Sequence, residues 1–234
     1  NDSASNTAIQ TKNFSVVLGP PLISINSPQN NSYLNKSSVT FLYTPTDVDL
    51  QSCELWGSFN GAFLLNQTNS TPVSGQQALF NLNLPDNSYN WSISCNDTLG
   101  NTKFEANRTF TIDTIFPALS ATEPTGTKTS RSNLPIAFSA SDLNINTCWY
   151  NIYRGAGIEI SNTTINCFQN SSTFNVTVDA DFALNFYVND SAGNINLSST
   201  AFTVSTSTSS PPQSPSGGSS GGSGGSGGSA IISS

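Results

Sequence analysis

The chain has 234 residues, of which only 9% are Asp, Glu, Lys or Arg; 7 basic stand against 14 acidic groups, for a net charge of −7, and there is no His. Such scarcity of cations leaves little to track a phosphate backbone, and the usual general base of a hydrolytic triad is missing. No run approaches the ~18 apolar residues of a membrane span, so nucleic-acid binding, a membrane core and His-based chemistry are all disfavoured.

In chain order, residues 1–19 read as the end of a repeat unit. Asn96-Asp97-Thr98-Leu99-Gly100-Asn101 returns as Asn189-Asp190-Ser191-Ala192-Gly193-Asn194, and each is followed by a strand-like stretch ending in Phe110-Thr111-Ile112 or Phe202-Thr203-Val204. Asn1-Asp2-Ser3-Ala4-Ser5-Asn6, then Phe14-Ser15-Val16-Val17, matches that pattern at nearly the same spacing. The N-terminal segment is therefore an orphan strand: the close of a preceding repeat, or a strand lent to another molecule.

Residues 20–115 and 116–205 form the two full units. Val39, Phe41 and Tyr43 alternate with polar residues, as do Tyr89, Trp91, Ile93 and Cys95 in the first unit and Phe174, Val176 and Val178 in the second. Phe182, Leu184, Phe186 and Val188 share this frame. A period of two marks half-buried antiparallel strands. Turn clusters such as Pro85-Asp86-Asn87 punctuate them, which predicts about seven short strands per unit and an all-β fold of tandem β-sandwiches. The last strands are expected at 102–113 and 195–204. Residues 206–234 turn Ser/Thr/Pro-rich and then Gly/Ser-rich, the composition of a flexible coil, natural or engineered.

Asn, Ser and Thr supply about two residues in five, and fourteen Asn-X-Ser/Thr sequons occur. The candidates for N-glycosylation are Asn1, Asn13, Asn30, Asn35, Asn66, Asn69, Asn90, Asn96, Asn107, Asn162, Asn170, Asn175, Asn189 and Asn196. Sugar would solvate a surface that is short of charge. Alternation turns Asn90 and Asn175 toward solvent, and Asn96 and Asn189 are expected in the turn after the aromatic strand.

The four cysteines split two per unit, Cys53 with Cys95 and Cys148 with Cys167. Cys95 matches Val188 in the other unit, so Cys148 must turn to Cys167 and the two bridges differ in topology. Zinc is the competing idea, but neither a C-x-x-C spacing nor a His accompanies these residues. Disulfides imply an oxidising, extracytoplasmic setting.

Asp47 with Asp49, and Asp179 with Asp181, have the spacing that would place two carboxylates on one face of a strand, as a glycosidase needs; a polar turn is the plainer reading. No cofactor is expected other than calcium, for which Asp97, Asp113 and Asp190 are candidates with Asn101 and Asn194 beside them. Against calcium stands turn capping by Asp97 and Asp190, with Gly100 and Gly193 at positive φ. Trp91 falls on the core phase. Trp56 and Trp149, three and one residues past a cysteine, are read as differing in phase, so that one ring is open to stack on a sugar.

Asn-Asp-Ser-Ala-Gly-Asn followed by Phe-Thr-Val, with Thr111-Ile112-Asp113-Thr114-Ile115-Phe116-Pro117 opening the next unit, resembles the bacterial-type Ig-like repeats of prokaryotic surface proteins, the archaeal ones above all. That likeness implies an Ig-like sandwich in a stalk, adhesin, surface layer or filament, with no catalytic residues to carry over. The resulting expectation is a non-enzymatic structural subunit of an extracellular, glycosylated filament or cell-surface array. Copies of the chain would join head to tail, strand donation being one route. The alternatives are a monomeric stalk or adhesin segment, and a module that binds glycans or a surface.

Overall fold

The computed structural model describes residues 19–169 and 171–207, and every helix-or-strand element among them is a strand. The first half contains β1 (Leu22–Ser27), β2 (Ser32–Leu34), β3 (Ser38–Thr46), β4 (Leu50–Asn60), β5 (Ala62–Asn69), β6 (Ala78–Asn83), β7 (Asn87–Asp97), β8 (Thr102–Phe104) and β9 (Arg108–Ile112). They build two sheets, β1-β3-β6 and β2-β9-β7-β4-β5, with β8 also on β7. The second half contains β10 (Ala118–Glu123), β11 (Gly126–Lys128), β12 (Leu134–Ser141), β13 (Ile145–Arg154), β14 (Gly157–Ile165), β15 (Ser171–Phe174), β16 (Ala180–Asp190) and β17 (Ile195–Val204). Its sheets, β10-β12-β15 and β11-β17-β16-β13-β14, repeat the same order.

Nine and eight strands replace the expected seven because the first strand of each half is split. Pro28 and Pro124 follow β1 and β10 and have no N–H for a ladder. The chain there leaves one sheet for the other: β1 and β10 pair with β3 and β12, while β2 and β11 run parallel to β9 and β17. The last strand of the first half is also broken, where one was expected at 102–113. Between β8 and β9 the Glu105 N–H donates to the Ile93 carbonyl at 3.0 Å, and the Glu105 carbonyl accepts from Ser92 Oγ at 2.7 Å. In the second half β17 pairs with β16 without interruption.

Each half encloses its own core. In the first, Phe41 meets Phe59, Trp91 and Phe110 edge-on at 5.4, 4.8 and 5.7 Å between ring centroids. In the second, Phe138 stacks on Phe186 at 4.2 Å, and Phe202 lies against Phe174 and Phe182. Ring pairs of this kind contribute about 0.5–1.5 kcal/mol each beyond the area they bury. Gly57 on β4 is required by such packing: a Cβ there would run into the Phe59 ring and the Asn90 carbonyl.

Cys53 and Cys95 lie directly opposite each other on β4 and β7, their Cα atoms 4.1 Å apart, and they are bonded. At the matching place Cys148 faces Val188 on β16, so it bonds instead to Cys167 just beyond β14, at 5.2 Å between Cα atoms.

Candidate functional site

Five residues, Asp113 to Pro117, link β9 to β10, and both halves grip them. From the first half, the Asp86 carboxylate accepts from the Thr114 N–H and hydroxyl at about 3.0 Å. From the second half, Asn194 Nδ2 lies 2.8 Å from the Asp113 carbonyl and 3.2 Å from that of Ile115. Asn144 Nδ2 donates to Asp113 Oδ2 at 2.9 Å, and Asn196 Nδ2 donates to the Pro117 carbonyl at 2.8 Å. Beside the linker a cleft of about 590 Å³ opens between the halves, with Asp86, Asp113, Phe116 and Leu143 on its walls. The grip at Asp86 recurs at the other end of the second half: the Asp179 carboxylate accepts from the Thr206 N–H and hydroxyl at 2.9 and 2.8 Å. Arg131 Nε, at 2.7 Å, and then Thr206 bring the Asp179 carboxyl down to about 2.

The repeated Asn-Asp motifs explain how Asn194 is presented. Asp190, buried at the end of β16, accepts from the Asn194 N–H and side-chain amide at 2.9 and 2.7 Å. Gly193 takes φ +89°, which closes the turn. Asp97 holds Asn101 in the same way at 2.8 and 2.7 Å, and also accepts from the Leu99 N–H. Burial pushes the Asp97 carboxyl up, yet the Asn101 amide and the turn N–H groups outweigh it and hold the pKa below its usual value. The sequence puts Asp113 at the junction, Asp86 in a turn cluster, and Asn101 and Asn194 in the repeated motif as companions of a calcium ion; nothing in it signals that Asp86, Asn144 and Asn194 together hold the linker. A carboxylate just ahead of a strand and a Thr just after the last one is the signal that could have revealed Asp86 with Thr114.

Two carboxylate triads accompany these turns, Asp47 with Asp49 and Asp97, and Asp113 with Asp142 and Asp190; within each, one oxygen per residue lies within 4.8 Å of the others. A hard divalent cation accepts that spacing. The Asp113 and Asp190 oxygens already receive hydrogen bonds from the linker and the turn. Asp49 is raised by the neighbouring Asp47 carboxyl first, then by burial and the charge of Asp97, against a lowering by the Thr98 hydroxyl. Asp47 and Asp49 lie between β3 and β4, so the pair sits in a turn and not on a strand face. Asp179 and Asp181 turn to different partners, Arg131 and the Thr203 hydroxyl.

The tryptophans correct the phase argument. Offsets of three and one are both odd, so Trp56 and Trp149 point the same way, onto the outer faces of β4 and β13, and each is half-buried. Trp56 lies against Phe104 at 5.7 Å and donates to Glu54 and Ser94; Trp149 stacks on Tyr187 at 5.2 Å, with their planes 5° apart. Asn96 and Asn189 also differ from expectation, since both are half-buried residues of strands β7 and β16 and precede the turns. Pairing extends one residue further because Asn96 faces Ser52 and Thr102 while Asn189 faces Ile195. Of the other sequons, Asn30, Asn35, Asn66, Asn90, Asn107, Asn162 and Asn175 are exposed, and Asn69 and Asn196 are half-buried. Asn1, Asn13 and Asn170, like the orphan strand and most of the Gly/Ser tail, lie outside the described residues.

Strand order, two aromatic cores and the shared linker grip together decide the architecture. The chain is a tandem pair of fibronectin-III-like, Ig-like β-sandwiches. The fibronectin(III)-like modules of Clostridium thermocellum CbhA are similar at a TM-score of 0.53 and 13% identity, over 78% of this chain and 94% of that one. Domains FN1–FN3 of chicken CNTN1 match at a TM-score of 0.45 and 11% identity, over 80% of this chain and 68% of that one. A 1.5-MDa bacterial ice-binding adhesin matches at 0.35 and 14%, over 81% and 66%. Only the first is close enough to bear on the fold. No protein-family model matches the sequence, and neither does any curated protein.

Proposed function

We propose that these tandem sandwiches form a spacer segment of an extracellular, N-glycosylated surface structure, holding distance instead of transforming a substrate. The two-sided grip on the linker carries this reading. Neighbouring domains move relative to each other by default, whereas here Asp86, Asn144, Asn194 and Asn196 bind the linker from both sides. Two disulfides suit an oxidising compartment. Exposed sequons on both halves would let sugar do the solvating that charge cannot. The test is a pair of spin labels at Asn66 and Asn162, read by double electron–electron resonance. A single narrow distance distribution is expected; a broad one would sink the spacer reading.

Head-to-tail assembly into a filament is the second reading. It is favoured by the likeness of Asn1–Val17 to the close of each full unit. Both described sandwiches carry their own last strands on β7 and β16, so a donated strand would have to add to an edge or reach a unit beyond this pair. Deletion of residues 1–18 should abolish fibres in negative-stain micrographs. Fibres that persist would exclude strand donation.

A further inference from the structure

The outer face of the second sandwich bears an apolar patch with a sequon at its margin. Asn189 on β16 lies opposite Ile195, and two residues back Tyr187 lies between Trp149 on β13 and Leu197 on β17. Ile195 and Leu197 are 51% and 50% exposed, and Trp149 and Tyr187 present a stacked, half-covered ring pair. Asn189 Oδ1 accepts from the Thr147 N–H at 2.8 Å, which fixes the side chain on this face. Across strands, direct neighbours are about 5 Å apart and diagonal ones about 7–8 Å, so a sugar ring attached at Asn189 is within reach of all four apolar side chains.

We propose that Asn189 carries an N-linked glycan whose first sugar lies on the Trp149–Tyr187 pair and covers the patch. This rests on the reading of the chain as glycosylated and says which sequon has a structural role. In the transfer, the Nδ2–C1 bond forms as the C1–O bond to the phosphate of a lipid-linked sugar donor breaks. The phosphate leaves with the electron pair, and one Nδ2 proton passes to the base of the transferase. The pyranose C–H groups then pack on the outer edge of the stacked ring pair and on Ile195 and Leu197, while the hydroxyls stay in water.

The first sandwich supplies the control. Asn96 occupies the same place on β7, but Glu54 and Ser94 stand where Trp149 and Tyr187 do. Its Nδ2 donates to Gln51 Oε1 at 2.7 Å, and the nearby Phe104 ring leans on Trp56 and Phe63. A glycan at Asn96 has no free ring pair beneath it.

The experiment uses the full chain secreted from cells that N-glycosylate, with N189Q and N96Q alongside it. Glycopeptide mass spectrometry, thermal unfolding and sugar-to-indole nuclear Overhauser contacts are the readouts. Expected are an occupied Asn189, contacts to Trp149, and a fall of about 4–8 °C in the unfolding midpoint when the native chain is enzymatically stripped of its glycans, the shift that covering part of the apolar patch gives a domain of this size; N96Q should show the same fall on stripping and N189Q none. Other sequons modified but Asn189 bare would overturn this proposal and leave the glycoprotein reading intact. An occupied Asn189 without indole contacts or a midpoint shift would overturn the stacking alone. Sugar on no sequon would end both. A glycoprotein that dimerises through Ile195 and Leu197 would assign the patch to a second copy and reject the proposal.

Discussion

In the first sandwich a disulfide ties two strands face to face within one sheet, Cys53 to Cys95; in the second it runs from β13 to the segment after β14. Their outer faces differ as well. The first presents Glu54 and Ser94 bonded to the Trp56 indole, the second a stacked Trp149 and Tyr187. Strand order and core placement are nevertheless the same. Sandwich topology therefore depends on the inward phase of each strand, while staples and outward residues are free to vary without altering it.

The largest separation between the halves is expected on removing the bridges one at a time. The 42-residue separation of Cys53 and Cys95 is worth about 4 kcal/mol in the chain-entropy model, and the 19-residue separation of Cys148 and Cys167 about 3 kcal/mol. Calorimetry of the two Cys-to-Ala pairs should show the first sandwich weakened more than the second. Equal losses would mean that native-state packing around the sulfurs, and not loop closure, sets the cost.

A smaller effect belongs to the linker. Asn194→Ala removes donors from the buried Asp190 carboxylate and the linker carbonyls, at about 1–3 kcal/mol. It should lower the midpoint of the second sandwich and widen the inter-half distance distribution. An unchanged distribution would show that Asp86 and Asn144 hold the joint without it.

Acid should act on the exit of the second sandwich. The Asp179 carboxyl titrates at about 2 in the folded chain, against an ordinary value of about 3.9. Unfolded chains thus take up the proton at higher pH. The contribution is fully present above about pH 4 and is lost as the pH falls from 4 toward 2. Thermal midpoints measured across that window should converge for the native chain and Asp179→Asn. Parallel curves would show that the pairing with Arg131 adds nothing.

Much of the fold was legible because a strand writes its inward face at every second residue: Val39, Phe41 and Tyr43, or Phe182, Leu184 and Phe186, need no partner to be recognised. The recurring Asn-Asp motif revealed the repeat by spacing alone. The splitting of first strands at Pro28 and Pro124 was less legible, since proline marks an interruption but not which sheet the chain joins next. Asn96 and Asn189 were placed in turns because the polar cluster begins there; pairing with Ser52 and Ile195 keeps them in the strands. The linker grip was almost invisible: Asp86 and Thr114 are 28 residues apart and Asn194 is 81 from Asp113, and no periodicity connects them.

By itself the amino-acid order determined which side of each strand is greasy, where the unit repeats, and how the cysteines divide between the units, because those properties are local or periodic. Only the tertiary structure decided that Asn194 and Asn144 hold the joint, and that Ile195 and Leu197 surround a sequon. Those relations depend on which strands become neighbours, and that choice is made by closing two aromatic cores, not by any residue taken alone.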